Sequence, residues 1–245
     1  MYTRNSFERM RVKCAEKMSK DKRLYKEALG VLTKADHYNW IHQTSWMGEP
    51  ILQLPQDMFA LQEIIYNTRP DYIIEVGVAW GGALLFYSTL MEALGGKKII
   101  GVDIFIPPDL KKRLFSYGRL SKRIVLINGS SLEDKTIKKI SKILRRSKKV
   151  LVVLDSNHTH DHVLNELRLY SRFLGKGCYL VCGDTIIEDM PEQKHRPRPW
   201  GPGNNPKTAV WQFLKENKCF EIDKRIENKL LFTCNPGGYL RRCHN

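Results

Sequence analysis

Four short segments place reactive side chains immediately after runs of apolar, β-branched residues. Glu75-Val-Gly-Val-Ala-Trp-Gly-Gly82 follows Tyr72-Ile-Ile, and Asp103 closes Lys98-Ile-Ile-Gly-Val. Asp155-Ser-Asn-His158 follows Val150-Leu-Val-Val-Leu, and Gly183-Asp184-Thr185 follows Cys178-Tyr-Leu-Val-Cys182. Glycines at such a turn let the chain bend sharply and let a ligand approach main-chain N–H groups. The spacing is GxxxGG rather than the dinucleotide GxGxxG, which disfavours a nicotinamide cofactor. Asp103 at a strand end can accept hydrogen bonds from both hydroxyls of a ribose. Together the turn (Gly77, Gly81, Gly82) and Asp103 point to an adenosine-containing ligand, with Asn128 to Asp134, including Ser130, as its adenine-side loop. Asp155 and Asp184 on adjacent strand ends can hold a hard cation such as Mg²⁺. Such a cation lowers the pKa of a coordinated hydroxyl, and His158 can take that proton near neutral pH. Singly, these residues are ordinary turns, helix caps and a surface histidine; their joint occurrence carries the signal. His160 and His162 receive no role, and the i,i+4 pair His158/His162 lacks the Glu of a zinc-binding HExxH.

The elements that must position these side chains alternate regularly. Apolar runs at 72–76, 98–103, 124–127, 150–155 and 178–182 predict five buried strands separated by helices. That pattern specifies an α/β fold, a doubly wound, mostly parallel sheet covered on both faces. Helices are predicted over 58–67, 83–94 and 163–174, the first ended by Pro70 and the second by Gly95-Gly96. Asn205-Pro206 fits an N-cap and first helical residue, opening a helix to about Lys215. Phe220 to Ile226 and Leu230 to Cys234 predict a closing antiparallel hairpin. Residues 1–35 read as a charged helical N-terminal extension, and 36–245 as one domain. Residues 38–55, rich in aromatics and broken by Pro50 and Pro55, read as an irregular segment able to cover a site. Residues 189–206, with five prolines and two glycines, read as a long loop of the kind that is functional or disordered.

Composition narrows the function classes. The chain of 245 residues carries 41 Lys and Arg against 26 Asp and Glu, a formal net charge of +15. This favours anionic partners. The excess concentrates in Arg9 to Lys26 and Lys135 to Lys149, which read as solvated faces of amphipathic helices. No RNA-recognition motif, zinc finger or aromatic stacking platform accompanies the basic runs, so nucleic acid is disfavoured as a partner. No apolar stretch reaches the ~18 residues that span a bilayer. The charged start Met1 to Arg9 lacks the apolar core of a signal peptide, so a cytoplasmic protein is expected. The six cysteines show no CxxC spacing, and a disulfide framework is not expected.

Several ordered motifs resemble the cephalosporin hydroxylase family and, more distantly, macrocin-type and rhamnosyl O-methyltransferases. They are Trp46-Met-Gly-Glu-Pro-Ile51, Leu54-Pro-Gln-Asp57, Ile74 to Gly82, Gly101-Val-Asp103, Leu154 to His158, Gly183-Asp-Thr185 and Asn235-Pro-Gly-Gly-Tyr-Leu240. The resemblance implies a Rossmann-like class I methyltransferase fold that binds S-adenosylmethionine and methylates a hydroxyl with help from Mg²⁺. By that analogy Glu75, Gly77 and Gly81 surround the methionine and ribose parts, Asp103 holds the ribose, Asp155 and Asp184 ligate the metal, and His158 is the general base. One position departs: relatives tend to carry an acidic pair before the threonine, where this chain has Gly183-Asp184. Hard-cation affinity follows ligand charge and number, so a weaker Mg²⁺ site, another ligand, or no metal are all open.

The expected function is O-methylation of a sugar hydroxyl on a glycoconjugate or natural product, with an anionic or lipid-linked acceptor suiting the basic surface. Trp200 and the Pro/Gly loop are expected to close over that acceptor, and a homo-oligomer is left open. A catalytically degenerate S-adenosylmethionine-binding protein, motivated by Gly183, is the alternative. A nucleic-acid methyltransferase rests on net charge alone.

Overall fold

A computed structural model describes residues 3–244. Two charged helices lead the chain, α1 (Arg4–Met18) and α2 (Lys22–Asp36). A two-stranded hairpin follows, β1 (Thr44–Trp46) and β2 (Glu49–Ile51), then α3 (Pro55–Thr68). The wound domain continues through β3 (Tyr72–Val76), α4 (Gly82–Leu94), β4 (Lys98–Asp103), α5 (Pro108–Ser116), β5 (Ile124–Asn128), α6 (Asp134–Leu144), β6 (Val150–Leu154), α7 (His160–Tyr170) and β7 (Tyr179–Cys182). It closes with α8 (Pro206–Glu216), β8 (Phe220–Ile222), α9 (Lys224–Glu227) and β9 (Tyr239–Arg242).

The main sheet has the order β5-β4-β3-β6-β7-β9-β8. Its first five strands are parallel, and β9 is antiparallel to both β7 and β8. From the central β3 the chain winds outward through β4 and β5, then returns to start β6 on the other side. The order therefore reverses between β3 and β6, and in open α/β sheets the ligand crevice lies at that switch point. Register carries this alignment past the strands. Gly77 N–H donates to Val102 O (2.9 Å), Asp155 N–H to Val76 O (2.8 Å), Gly129 N–H to Asp103 O (2.8 Å) and Gly183 N–H to Leu154 O (2.8 Å). The turn residues singled out from sequence thus lie in one row along the carboxyl edge.

Each face of the sheet buries alternate residues, as period-2 pleating requires. Ile74, Val76, Val152, Leu154 and Leu180 pack with Val163 and Leu167 of α7, Phe213 of α8 and Ile140 of α6. Ile73, Ile99, Leu151, Val153 and Val181 pack with Leu61 and Ile65 of α3 and Leu84 and Tyr87 of α4. A third, smaller cluster joins Leu32 of α2 to Leu54, Ile186, Met190 and Cys234. It seats α2 over the carboxyl edge, whereas α1 buries no side chain.

Three local expectations change. The predicted strand Leu230 to Cys234 is not a strand; β8 pairs instead with β9, and Lys224–Glu227 is a helical turn capped by the Asp223 side chain. The antiparallel closure is thus present with its second strand at Tyr239–Arg242 instead of Leu230 to Cys234. Residues 38–55, read as irregular, hold the β1–β2 hairpin. Its turn residues Met47 and Gly48 both have positive φ (51° and 91°), the conformation that matches strand twist in a tight hairpin. Pro55 opens α3 rather than breaking the chain. At α8 the Asn205 cap forms as predicted, with a reciprocal capping box to Thr208.

Candidate active site

The strand ends open into one cleft of about 550 Å³. At one end, Gly77 (φ +95°) crosses so close to β6 that a Cβ there would lie 2.0 Å from the Asp155 carbonyl oxygen. Gly82 has a different reason: its Cβ would lie 2.2 Å from Pro50 O of the hairpin. The turn is therefore squeezed between β6 and β2. Gly77, Asp103 and Ser130 line the cleft. Glu75, Gly81 and Gly82 sit behind that wall. Asp103 Oδ2 accepts from Val78 N–H (2.8 Å) and Oδ1 from Phe105 N–H (3.1 Å). Oδ2 also accepts a longer bond from Ala79 N–H (3.4 Å), so Oδ1 is the oxygen that keeps a lone pair for a ligand hydroxyl. Glu75 is buried and accepts a 3.3 Å bond from Tyr87 Oη on Oε1, while its Oε2 has no partner among the described residues. Burial, then the nearby Asp155, push its carboxyl well above the usual range.

At the centre stand Asp155, His158 and Asp184, whose ligand atoms all lie within 4.8 Å of one another. His158 Nε2 is 3.2 Å from Asp184 Oδ2, and the Trp200 ring meets the imidazole edge-on at 4.8 Å. Burial, then Asp184, push the Asp155 carboxyl well up, and a hydrogen bond with Gln53 opposes them. Gly183 is what lets the pair approach: a Cβ there would lie 2.8 Å from Asp155 Oδ1. Asp184 itself adopts φ +52°. It is held by Asn235, whose Oδ1 accepts from Asp184 N–H (3.1 Å), and by bonds from Thr185 Oγ1 to Pro236 O and Ile186 N–H to Cys234 O (both 3.0 Å).

At the other end α2 supplies Leu32 and Asp36, the following turn Trp40 and His42, and the loop before α8 supplies Arg196, Arg198 and Trp200. The Pro/Gly loop is tied down. Arg196 Nη2 donates to the buried Asp36 Oδ1 (2.5 Å), His195 Nε2 lies 3.0 Å from Asp36 Oδ2, and the His195 ring stacks on His37 at 4.1 Å. Lys207 Nζ bonds Asp189 at 2.6 Å, and Glu188 accepts from Gly203 N–H (2.8 Å) and Asn205 Nδ2 (2.5 Å).

Some site residues escaped the sequence argument. Asp57 is buried at the start of α3, where it accepts from Thr233 Oγ1, Cys234 N–H (2.8 Å) and Tyr239 Oη (3.0 Å). It joins two of the motifs that carried the family resemblance, and Asn235 passes that anchor to Asp184. Glu166, also fully buried, accepts on Oε1 from Ser131 Oγ (2.5 Å) and Ser156 Oγ (2.7 Å), with His162 Nε2 at 3.0 Å. The signal for it was an acid on the apolar face of α7, between Val163 and Leu167. His160 bonds Thr208 and Gln212, tying α7 to α8.

A doubly wound parallel sheet with an antiparallel closing pair, and a cleft of ribose-type acid, paired carboxylates and histidine at its switch point, defines a class I methyltransferase domain. The sequence profile of the "Rhamnosyl O-methyltransferase/CmcI" family matches residues 38–243, and the chain belongs to that family. The expectation of an S-adenosylmethionine-dependent O-methyltransferase is met at that level. A rhamnosyl O-methyltransferase of Mycobacterium leprae is 32% identical over 206 residues, covering 81% of this chain and 83% of the relative. The Mycobacterium tuberculosis H37Rv enzyme of the same name is 27% identical over 216 residues, covering 84% of each. Among solved structures, CmcI with Mg and SAM superposes with a TM-score of 0.58 at 20% identity, over 83% of this chain and 78% of that one. CmcI with SAH gives 0.51 at 18% identity, over 81% of each. These two establish the likeness of fold. No helix among the described residues is long and apolar enough to cross a membrane.

Proposed function

We propose that the protein transfers the methyl group of S-adenosylmethionine to a sugar hydroxyl of a glycan or glycosylated natural product. The observation that carries this is the one cleft joining Asp103, whose Oδ1 keeps a free lone pair, to the Asp155/His158/Asp184 centre. The curated relatives are named for methylating a rhamnosyl group. Trp40 and Trp200 at the far end offer the amphipathic aromatic walls that suit a sugar ring.

The residues fit the cofactor. Gly77 and Ser130 line the cleft and Asp103 Oδ1 keeps a lone pair for a ribose hydroxyl, while Glu75, buried behind that wall, has Oε2 unpartnered among the described residues. Gly81 and Gly82 shape the turn from behind. S-adenosylmethionine supplies, when bound, a methyl group on a sulfonium that leaves as a neutral thioether. His158 accepts the acceptor hydroxyl proton on an imidazole nitrogen, and Trp200 fixes the plane of its ring. Positioning the oxygen in line with the methyl group supplies most of the rate. Asp155 and Asp184 suit a divalent cation as hard oxygen donors, and one imidazole nitrogen lies within the same radius. Mg²⁺ held there would favour the ionised hydroxyl. The net charge of +15 suits an acceptor on an anionic or lipid-linked carrier.

Calorimetry with S-adenosylmethionine, followed by methyl transfer to a panel of rhamnosides and other glycosides, tests the proposal. Binding with turnover, lost in His158→Ala while cofactor affinity persists, is the expected result. Absence of cofactor binding would overturn it.

A further inference from the structure

We infer that the acceptor sugar carries an acidic group, a carboxylate or a phosphate, and that Arg198 receives it at the mouth of the cleft. This rests on the methyl-transfer proposal and adds the chemical class of the acceptor.

The argument starts from which charges at the acceptor end are already satisfied. Asp36 is the acid on this wall, and it is taken up by Arg196 and His195. Arg198 lines the same wall, and among the described residues it has no hydrogen bond or ion pair to a carboxylate. Its guanidinium lies 5.6 Å from the centre of the Trp200 ring. That ring is in turn the one standing edge-on to His158 at 4.8 Å. Arg198 is therefore two contacts from the imidazole, at an exposed position on the cleft lining. A guanidinium laid over an aromatic face is pre-organised, and its planar fork matches carboxylate and phosphate oxygens in pairs.

The surroundings point the same way. Partial desolvation and then Arg196 hold the His42 imidazole below its usual pKa, with Arg198 adding to the effect. His42 is accordingly neutral near pH 7, and the positive field at this end belongs to the arginines. Arg198 is exposed, so a neutral sugar beneath it leaves its charge to water and gains little from it. An acidic sugar turns the same contact into a charge-assisted hydrogen bond.

The test uses the full chain saturated with S-adenosylhomocysteine, with sugar binding followed by NMR titration. Methyl rhamnoside is the neutral probe, methyl glucuronide the carboxylate and glucose 6-phosphate the phosphate. At least one acidic probe is expected to bind about tenfold more tightly than the neutral one, about 1.4 kcal/mol. The advantage should shrink with added salt. Arg198→Met keeps the stem on Trp200 and should bring the three affinities within about twofold, with S-adenosylhomocysteine affinity unchanged. Whether glucuronide or the phosphate gains more identifies the source of the anion. Equal binding of neutral and acidic sugars, no acidic probe bound, or a preference that survives Arg198→Met overturns the inference. A failure of the cofactor to bind is a different result, and overturns the methyl-transfer proposal instead.

Discussion

The most informative perturbation is at Gly183, where the family resemblance leads one to expect an acid. Restoring that acid looks like a gain of a metal ligand, yet the geometry argues the opposite. Gly183 is buried and its φ is not positive, so alanine is acceptable to the backbone. The added Cβ, however, would lie 2.8 Å from Asp155 Oδ1, 3.0 Å from its Cγ and 3.1 Å from Leu154 O. An ordinary contact begins near 3.4 Å, so the Asp155 carboxylate must retreat by about 0.6 Å. Over-packing costs ~1–3 kcal/mol, and a carboxylate that can swing keeps the cost near the lower end. Gly183→Ala should therefore lower Tm by roughly 2–4 °C. Its effect on chemistry should be larger, because a misplacement of about 1 Å at a reacting centre costs about 10²-fold. We expect turnover to fall by about tenfold or more, and Mn²⁺ affinity, read by electron paramagnetic resonance with S-adenosylhomocysteine bound, to weaken. Gly183→Asp places the same Cβ and should bind Mn²⁺ no better than wild type. Wild-type Mn²⁺ affinity and turnover in Gly183→Ala, or tighter binding in Gly183→Asp, would refute the reasoning.

Three further outcomes follow from the surrounding network. Burial raises the Asp57 carboxyl to about 6, partly offset by its bonds from Thr233, Cys234 and Tyr239. Because the folded state holds that proton more tightly than the unfolded chain, this contribution is fully present below about pH 4 and is lost as pH rises through about 6. It amounts to about 3 kcal/mol, and denaturant titrations across that window should show a slope that Asp57→Asn reduces by that contribution. Arg196→Ala leaves the buried Asp36 with His195 alone and should cost about 2–3 kcal/mol, with trypsin cutting sooner at Lys194. Asn235→Ala removes the side chain that holds Asp184 at φ +52°, a conformation costing roughly 1 kcal/mol. It should lower kcat by about tenfold while the S-adenosylmethionine Kd stays within about twofold by calorimetry.

The five parallel strands were legible because each is a short apolar run closed by Gly, Asp or Asn, and sheet burial on both faces leaves no competing interpretation. The closing hairpin was misplaced for a physical reason. Leu230-Leu-Phe-Thr-Cys234 has the composition of a strand, but its side chains are spent on tertiary contacts. Phe232 meets Trp40 at 6.0 Å, Cys234 joins the cluster beneath α2, and Thr233 anchors Asp57 across 176 residues of sequence. The true strand, Tyr239–Arg242, is half arginine; it pairs with β7 on one side and β8 on the other, and its arginines are half-buried at its end, where Arg242 donates to Ser171 O and Leu174 O. No local pattern separates a plug from a strand when the plug is the more apolar of the two.

The same limit divides the site. Side chains fixed by register, Asp103, Asp155 and Asp184, could be found by looking at strand ends, because the parallel ladder aligns those ends whatever the loops do. The other end of the cleft was legible only as two segments, 38–55 and 189–206, and not residue by residue, because Asp36, His42, Arg196 and Arg198 come from a helix terminus and loops that meet only through long-range pairs. Their placement follows from Arg196 and His195 closing on Asp36, and nothing in the spacing of 36, 195 and 196 announces it. The glycine turn was legible as a ligand site for partly the wrong reason. Gly77 does border the cleft, but Gly82 is required by the carbonyl of Pro50 behind it. One set of glycines thus serves both the cofactor side of the turn and the packing that holds the turn in place. A loss of activity on replacing Gly82 would by itself say nothing about cofactor contact.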